Sequence, residues 1–479
     1  MGTSFGAERR WARLALAPTC LLAVLLAGCE EQPMIPGGNT VVSVIVNPAD
    51  LSIAVGEVIR LDLLPQNAEG RVISSGPATW VSSAPLVASV DSLGFIRALS
   101  EGSADINATV DGVRGTARIR VTPAVVSEWR EHACMVASTG AVWCWGRGAN
   151  GELGNGTRIS SAVPLRAALS GTAASVSTGS SHSCAVLTSG AVFCWGRGAE
   201  GQLGNGATAT QPGPVQAMDA LSYRSVSAGG QHTCGITSSG DLRCWGSGGF
   251  GQLGNGNTIN VATPVQPQGG LKFERVSAGA RHTCALTADG RAYCWGDNRF
   301  GQLGDGSAVT RTTPTPVATA LRFTWISAGA RHSCAIAESG SPWCWGDNRE
   351  GQLGNGSLSS STSPTDVRSA PGFQLSRVWA GGSHTCGTNG AAVVYCWGAG
   401  QFGQLGNGAR GLAGNPVQVG SVLFDDLIVG NAHTCGVSRG TVAYCWGLNA
   451  FGQLGTGDYR DRAVPALVSG DLRVTRAEG

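Results

Sequence analysis

The run Arg281-His282-Thr283-Cys284-Ala285-Leu286-Thr287-Ala288-Asp289-Gly290-Arg291-Ala292-Tyr293-Cys294-Trp295-Gly296, continued by Gly301-Gln302-Leu303-Gly304-Asp305-Gly306, decides the fold, because its frame is written seven times. All seven histidines of the chain belong to it: His132, His182, His232, His282, His332, His384 and His433, at successive spacings of 50, 50, 50, 50, 52 and 49 residues. A Cys follows each His by two residues, and a second Cys lies ten residues after the first, always before Trp-Gly. A fixed period of this length marks a repeat architecture in which each unit buries its apolar face on its neighbour.

Within the fourth copy, Arg275-Val276-Ser277-Ala278 reads as a short strand and His282 to Thr287 alternates as a second. Ala288-Asp289-Gly290 is a tight turn, with Gly free to take positive φ. Arg291 to Gly296 returns, and Thr313 to Val317 supplies a fourth strand. Seven four-stranded antiparallel units predict a seven-bladed β-propeller, since radial repetition leaves few exposed edges. Leu472-Arg473-Val474-Thr475-Arg476 reads like the first strand of a repeat and is expected to complete blade one, whose own start, Ser127-Glu128-Trp129-Arg130-Glu131, is degenerate.

The motifs His-Thr-Cys-Ala-Leu, Cys-Trp-Gly and Gly-Gln-Leu-Gly-Asn-Gly resemble the regulator of chromosome condensation repeat, from about Val125 to Val468. The resemblance implies a propeller closed by strands from both ends of the repeat region. It leaves function open, because one fold hosts unrelated sites.

The hairpin turn sets Cys284 opposite Cys294. The same spacing sets Cys134 opposite Cys144, Cys184 opposite Cys194, Cys234 opposite Cys244, Cys334 opposite Cys344, Cys386 opposite Cys396 and Cys435 opposite Cys445. Cβ atoms so placed can be bridged, so seven intrablade disulfides are expected; seven reduced, buried pairs are the alternative. A zinc set would lack its fourth ligand, and no metal or cofactor is expected. A His in every blade suits a shared structural task, such as a ring nitrogen bonded to a backbone carbonyl. The Trp-Gly pairs read as blade-to-blade packing.

Outward from the repeats, Val41 to Val121 alternates with period two: Val42, Val44 and Val46; Ile59, Leu61 and Leu63; Ala117, Ile119 and Val121. Short strands between turn signals suggest a β-sandwich. Trp80-Val81-Ser82-Ser83-Ala84-Pro85, Val87-Ala88-Ser89-Val90-Asp91 and Gly94-Phe95-Ile96-Arg97-Ala98-Leu99, in that order, resemble the bacterial immunoglobulin-like domain, group 2. This implies a seven-strand sandwich serving as a spacer or adhesive module, with Trp80 filling its core.

The first residues carry an address. Arg9, Arg10 and Arg13 precede an apolar run, Leu14 to Ala27, too short for a convincing spanning helix. It ends in Leu26-Ala27-Gly28-Cys29, which resembles the bacterial lipobox and implies lipidation of Cys29. The expected organisation is a lipoprotein signal peptide over 1–28, a flexible tether over 29–40, an immunoglobulin-like domain over 41–122 and the propeller over 125–479. The product is expected to be exported and lipid-anchored to a membrane, on its periplasmic side or at the cell surface. That compartment is oxidising, which favours the disulfides.

Composition narrows the function. Gly is abundant at 73 residues but has no Gly-x-y period, which excludes collagen. A net charge of +2 without a basic stripe argues against nucleic acid. No Ser-His-Asp set, phosphate loop or carboxylate pair breaks the repeat, and every His belongs to the frame, so binding is expected rather than catalysis. The loops before each His and after each Trp-Gly share one face. There blades four and five carry Arg281, Asp297, Asn298 and Arg299, and Arg331, Asp347, Asn348 and Arg349, beside Phe250 and Phe300. Arg with aromatic residues is the composition of interface hot spots, and this patch is the expected docking surface for an envelope or extracellular protein, or an acidic glycan. The bland alternative is a set of solvated Asp–Arg pairs with Phe closing each loop. An inhibitor of an extracellular enzyme is a second reading. Guanine-nucleotide exchange, which the repeat family implies, sits poorly with an exported chain.

Overall fold

The computed structural model describes residues 40–476 except 48, 55–57, 101, 123–130, 369–371 and 471. The leader, the tether and Cys29 lie outside the described residues. The chain divides into two compact units at Ala124/Val125. Both are built from strands alone among the described residues.

The N-terminal unit has sheets of four, three and two strands. The long hairpin Gly102–Val110 and Val113–Thr122 forms its spine, and Asp50–Ala54 joins Val113–Thr122 in parallel. Nine strand segments stand where the resemblance implied seven. Part of the excess arises at Leu61, which is buried between Val58–Arg60 and Asp62–Gln66 and donates its N–H to the Gly94 carbonyl at 2.9 Å, so one run serves two sheets. The alternation from Val44 and Val46 through Ala117, Ile119 and Val121 faces the core, whereas Val42 is exposed. Trp80 is half-buried against this core and lies across Gly94, where a Cβ would meet its ring at 2.8 Å.

In the C-terminal unit seven four-stranded sheets follow one another. Blade four is representative: Arg275–Ala278, His282–Leu286, Ala292–Gly296 and Arg311–Pro316. Blade one takes its first strand from the chain's end, since Val474–Arg476 pairs with His132–Ala137. The closure anticipated for Leu472 to Arg476 is therefore present.

The two cysteines of each blade are directly opposed in register on its second and third strands, with Cα atoms 4.0–4.1 Å apart. Each pair is joined as a disulfide. Cys134 is bonded to Cys144, Cys184 to Cys194, Cys234 to Cys244 and Cys284 to Cys294. Cys334 is bonded to Cys344, Cys386 to Cys396 and Cys435 to Cys445. The alternative of reduced, buried pairs is not what the structure holds.

The shared task of the histidines lies at the junctions, where the ring in each of six blades reaches a hydroxyl of the next blade. His232 Nε2 meets Thr283 Oγ1 of the next blade at 2.8 Å, and that hydroxyl donates to the Gln252 carbonyl at 2.8 Å. Trp295 Nε1 donates to the same carbonyl at 2.9 Å. A hydroxyl has one proton, and here the carbonyl takes it. The ring must therefore donate from Nε2, and burial, which lowers its pKa to about 3, keeps it neutral. The pattern recurs for His132–Ser183, His182–Thr233, His282–Ser333, His332–Thr385 and His384–Thr434. At the seventh junction Ala133 replaces the hydroxyl residue, while Trp145 still donates to the Gln453 carbonyl. Glycine is required for these approaches. At Gly304 (φ +69°) a Cβ would lie 2.7 Å from the Trp345 indole nitrogen, and at Gly279 one would strike the His282 ring at 2.6 Å.

The framework should respond to both acid and reductant. Burial holds the ring pKa values down, to about 3 for His232, His332 and His384 and about 4 for His282. An unfolded His titrates near 6.5, so between these values the unfolded chain binds more protons and stability falls as the pH is lowered. The histidine contribution is complete above about pH 6.5. At pH 5 each of the four has lost about 2 kcal/mol. The melting temperature of the propeller should drop clearly between pH 7.5 and pH 5; an unchanged value would contradict the neutral relay. Separately, the intact propeller should weigh fourteen hydrogens less than its fully reduced form, and each bridge should contribute about 2–3 kcal/mol in the loop-entropy account. A native mass matching free thiols would mean that the staples are absent.

Candidate functional site

The loops that follow each Trp-Gly carry many of the differences between repeats. In blades four and five the Asn after Asp297 and Asp347 is fully buried. Asn298 accepts from the Leu303 N–H at 3.0 Å and donates to the Ser307 and Val309 carbonyls. Asn348 makes the matching bonds to Leu353, Ser357 and Ser359. These residues pin their loops and do not belong to the contact surface, contrary to their grouping with the patch in sequence.

The other patch residues come together in two matching stacks. The Phe250 ring of blade three lies between Arg281 and Arg299 of blade four, with guanidinium carbons 4.9 and 5.2 Å from its centroid. The Phe300 ring of blade four lies between Arg331 and Arg349 of blade five, both at 5.1 Å. A cation over an aromatic face is attracted by the ring quadrupole, by about 0.5–1 kcal/mol at exposed sites. Each stack forms only where a blade has Arg both before its His and three residues after its Trp-Gly, and where the preceding blade offers Phe. Blades four and five alone meet all three conditions.

The acidic members are consumed. Arg299 Nε and its terminal nitrogen reach both oxygens of Asp297 at 2.9 and 2.8 Å, and Arg349 grips Asp347 in the same way. Burial pushes both carboxyls up, but the paired Arg hydrogen bonds outweigh it and hold them below the ordinary Asp value. Asp297 and Asp347 are buried, whereas Arg299 and Arg349 remain more than half exposed. The Asp–Arg pairs of the bland reading exist, and the same arginines also form the stacks. The surface offered outward is therefore cationic and aromatic.

A related contact escaped the sequence reading. Arg147 lies over Phe451 at 5.5 Å, across the junction of blades seven and one, and pairs with Glu131 at 2.5 Å. Phe451 holds the same position before Gly-x-Leu-Gly as Phe250, Phe300 and Phe402, so reading that column would have found it. Blade one also carries Glu152 where the other six have Gln. It is wholly buried, burial raises its pKa, and it accepts from the Asn150 backbone and side chain at 2.7 and 2.9 Å.

Seven four-stranded blades, closed by the strand Val474–Arg476 and linked at six of their seven junctions through His, hydroxyl and Trp, define a closed β-propeller. The chain belongs to the RCC1-like domain family, whose model matches residues 120–423; the regulator of chromosome condensation (RCC1) repeat matches 442–479. The bacterial Ig-like domain (group 2) matches residues 40–121. Yeast RCC1 (Prp20), solved bound to Kap60, is similar with a TM-score of 0.64 at 19% identity, over 70% of this chain and 85% of that one. Human WBSCR16 is similar with a TM-score of 0.64 at 21% identity, over 69% of this chain and 94% of that one. A stretch of 67 residues is 40% identical to an S-layer-related protein of Niallia circulans, which is 14% of this chain and only 4% of that protein's length.

Proposed function

We propose that this protein is an exported, lipid-anchored interaction scaffold that binds an acidic protein surface through the loop face of blades four and five. The observation that carries the reading is the pair of Arg–Phe–Arg stacks. They hold exposed guanidinium groups rigidly beside aromatic rings, which lowers the ordering cost of forming an interface. Their carboxylates are buried and already paired, so the outward charge is that of the arginines. An acidic glycan meets the same chemistry less fully, because it offers little flat apolar area to the rings. The yeast relative is solved bound to another protein, Kap60. Under this reading Cys29 carries the lipid, the immunoglobulin-like unit is a spacer, and the propeller acts by binding rather than catalysis. Nucleotide exchange would need a GTPase on the far side of the membrane.

Charge reversal at both Arg281 and Arg331 should abolish capture of envelope partners by the mature propeller while leaving its melting temperature within a few degrees. An unchanged set of partners would sink the patch. Independently, Cys29→Ala should release the protein from membranes into the soluble fraction and end fatty-acid labelling. Continued labelling of that variant would refute the anchor.

A further inference from the structure

The central channel is lined by the first strand of each blade. In blades two to five its deeper layer is regular: Ser177, Ser227, Ser277 and Ser327 each accept the backbone N–H of the next blade at 2.9–3.0 Å, from Ala228, Ala278, Ala328 and Ala380. The sixth blade breaks this girdle with Trp379, and the layer nearer the hairpin turns departs further. There Ser175 and Ser225 of blades two and three give way to Arg275, Trp325, Arg377 and Asp426. These residues line one cavity of about 490 Å³, within the ordinary range of small-ligand sites.

Three features of the lining bear on what it would hold. Arg275 stacks on Trp325, its guanidinium carbon 4.0 Å from the ring centroid, and Arg377 approaches the same ring at 5.1 Å. Arg224 is committed to Glu274 at 2.8 and 3.1 Å, and Arg377 faces Asp426 at 3.7 Å, whereas Arg275 meets no carboxylate within ion-pair reach among the described residues. Trp325 uses its indole N–H on the Val378 carbonyl at 2.7 Å. Trp379, edge-on to Trp325 at 5.6 Å, is 7% exposed, and its N–H has no acceptor among the described residues. A buried donor left without an acceptor is costly. Burial and the neighbouring Arg377 also disfavour the charge on Arg275. Both groups are relieved by the same thing, an acceptor carrying negative charge.

We propose that this channel site binds a small carboxylate with a flat, aromatic body, its carboxylate on Arg275 and the Trp379 N–H and its ring against the two indoles. The charge count selects a monoanion. Three guanidinium groups and two carboxylates line the cavity, leaving one positive charge to neutralise. A carboxylate also matches the planar guanidinium fork. The site opens toward the hairpin turns, at the opposite end of the propeller from the Arg–Phe stacks, and does not depend on the docking role of those stacks.

Fluorine NMR of the intact protein tests this with three probes: 4-fluorobenzoate, the neutral 4-fluorobenzamide and the dianionic 4-fluorophenyl phosphate. 4-Fluorobenzoate should bind saturably, more tightly than either other probe. Arg275→Gln should weaken it about tenfold or more and Trp379→Phe a few-fold, while Arg166→Gln on the outer strand of blade one leaves it unchanged. Melting curves confirm that each variant is folded, and Trp379→Phe carries the test alone if Arg275→Gln is not. Equal response to the amide, tighter binding of the phosphate, full binding in both folded variants, or no saturation up to about 10 mM would each overturn the proposal.

Discussion

The structure depends on one shared hydroxyl. At six of seven junctions a Ser or Thr accepts from the His of the blade behind and donates to a Gln or Glu carbonyl of that same blade, which also receives the Trp indole of the blade ahead. Every polar atom in this chain of bonds is buried, so each bond omitted would leave a desolvated group behind. The geometry tolerates little else. Gly lies beneath each indole and beside six of the seven imidazoles, and the Leu between the two glycines of the loop is sealed. A propeller's blades touch only their neighbours, so the spacing of the ring is set at these contacts.

Two sets of bonds divide the labour. The disulfides join the second and third strands inside a blade, where the sheet already supplies a ladder. The relay joins blades, where no ladder exists. Reductant and acid therefore act on different parts of the molecule. Reduction loosens the hairpins while the ring contacts persist, and protonation of the histidines strikes the ring while the hairpins stay stapled. The missing hydroxyl at Ala133 falls at the junction that the last strand also closes, so covalent continuity from Leu467 onward and the Val474–Arg476 pairing substitute for it.

Much of this was legible in the sequence because the repeat exposes whatever lies within one blade. The opposed cysteines, the turn at Gly290 and the closing strand at Leu472 to Arg476 all follow from spacing. What lay between blades was hidden. Thr283 serves His232, 51 residues earlier, and a column of Ser and Thr after each His looks like a neutral strand position until the blades are placed in order. Asn298 misled for the opposite reason. Beside Arg and Asp it reads as surface, yet a side chain that can accept once and donate twice is what a buried loop turn needs.

Where the repeats disagree, the departures are organised and not scattered. On the loop face Phe250 and Phe300 recruit arginines from the following blade, and in the channel Trp325 recruits Arg275 and Arg377 from the blades on either side. The same device, a cation held on an aromatic face across a blade junction, thus recurs at both ends of the propeller. Its physical merit is that it adds charge to a surface without adding mobility. A lone Arg gives up about 2 kcal/mol of rotamer freedom when a partner immobilises it, whereas one already lying on a ring has lost much of that freedom beforehand. On the loop face the buried Asp completes the arrangement and leaves an outward cationic patch. In the channel no carboxylate among the described residues does so for Arg275, which makes that end the more demanding of the two for an anion.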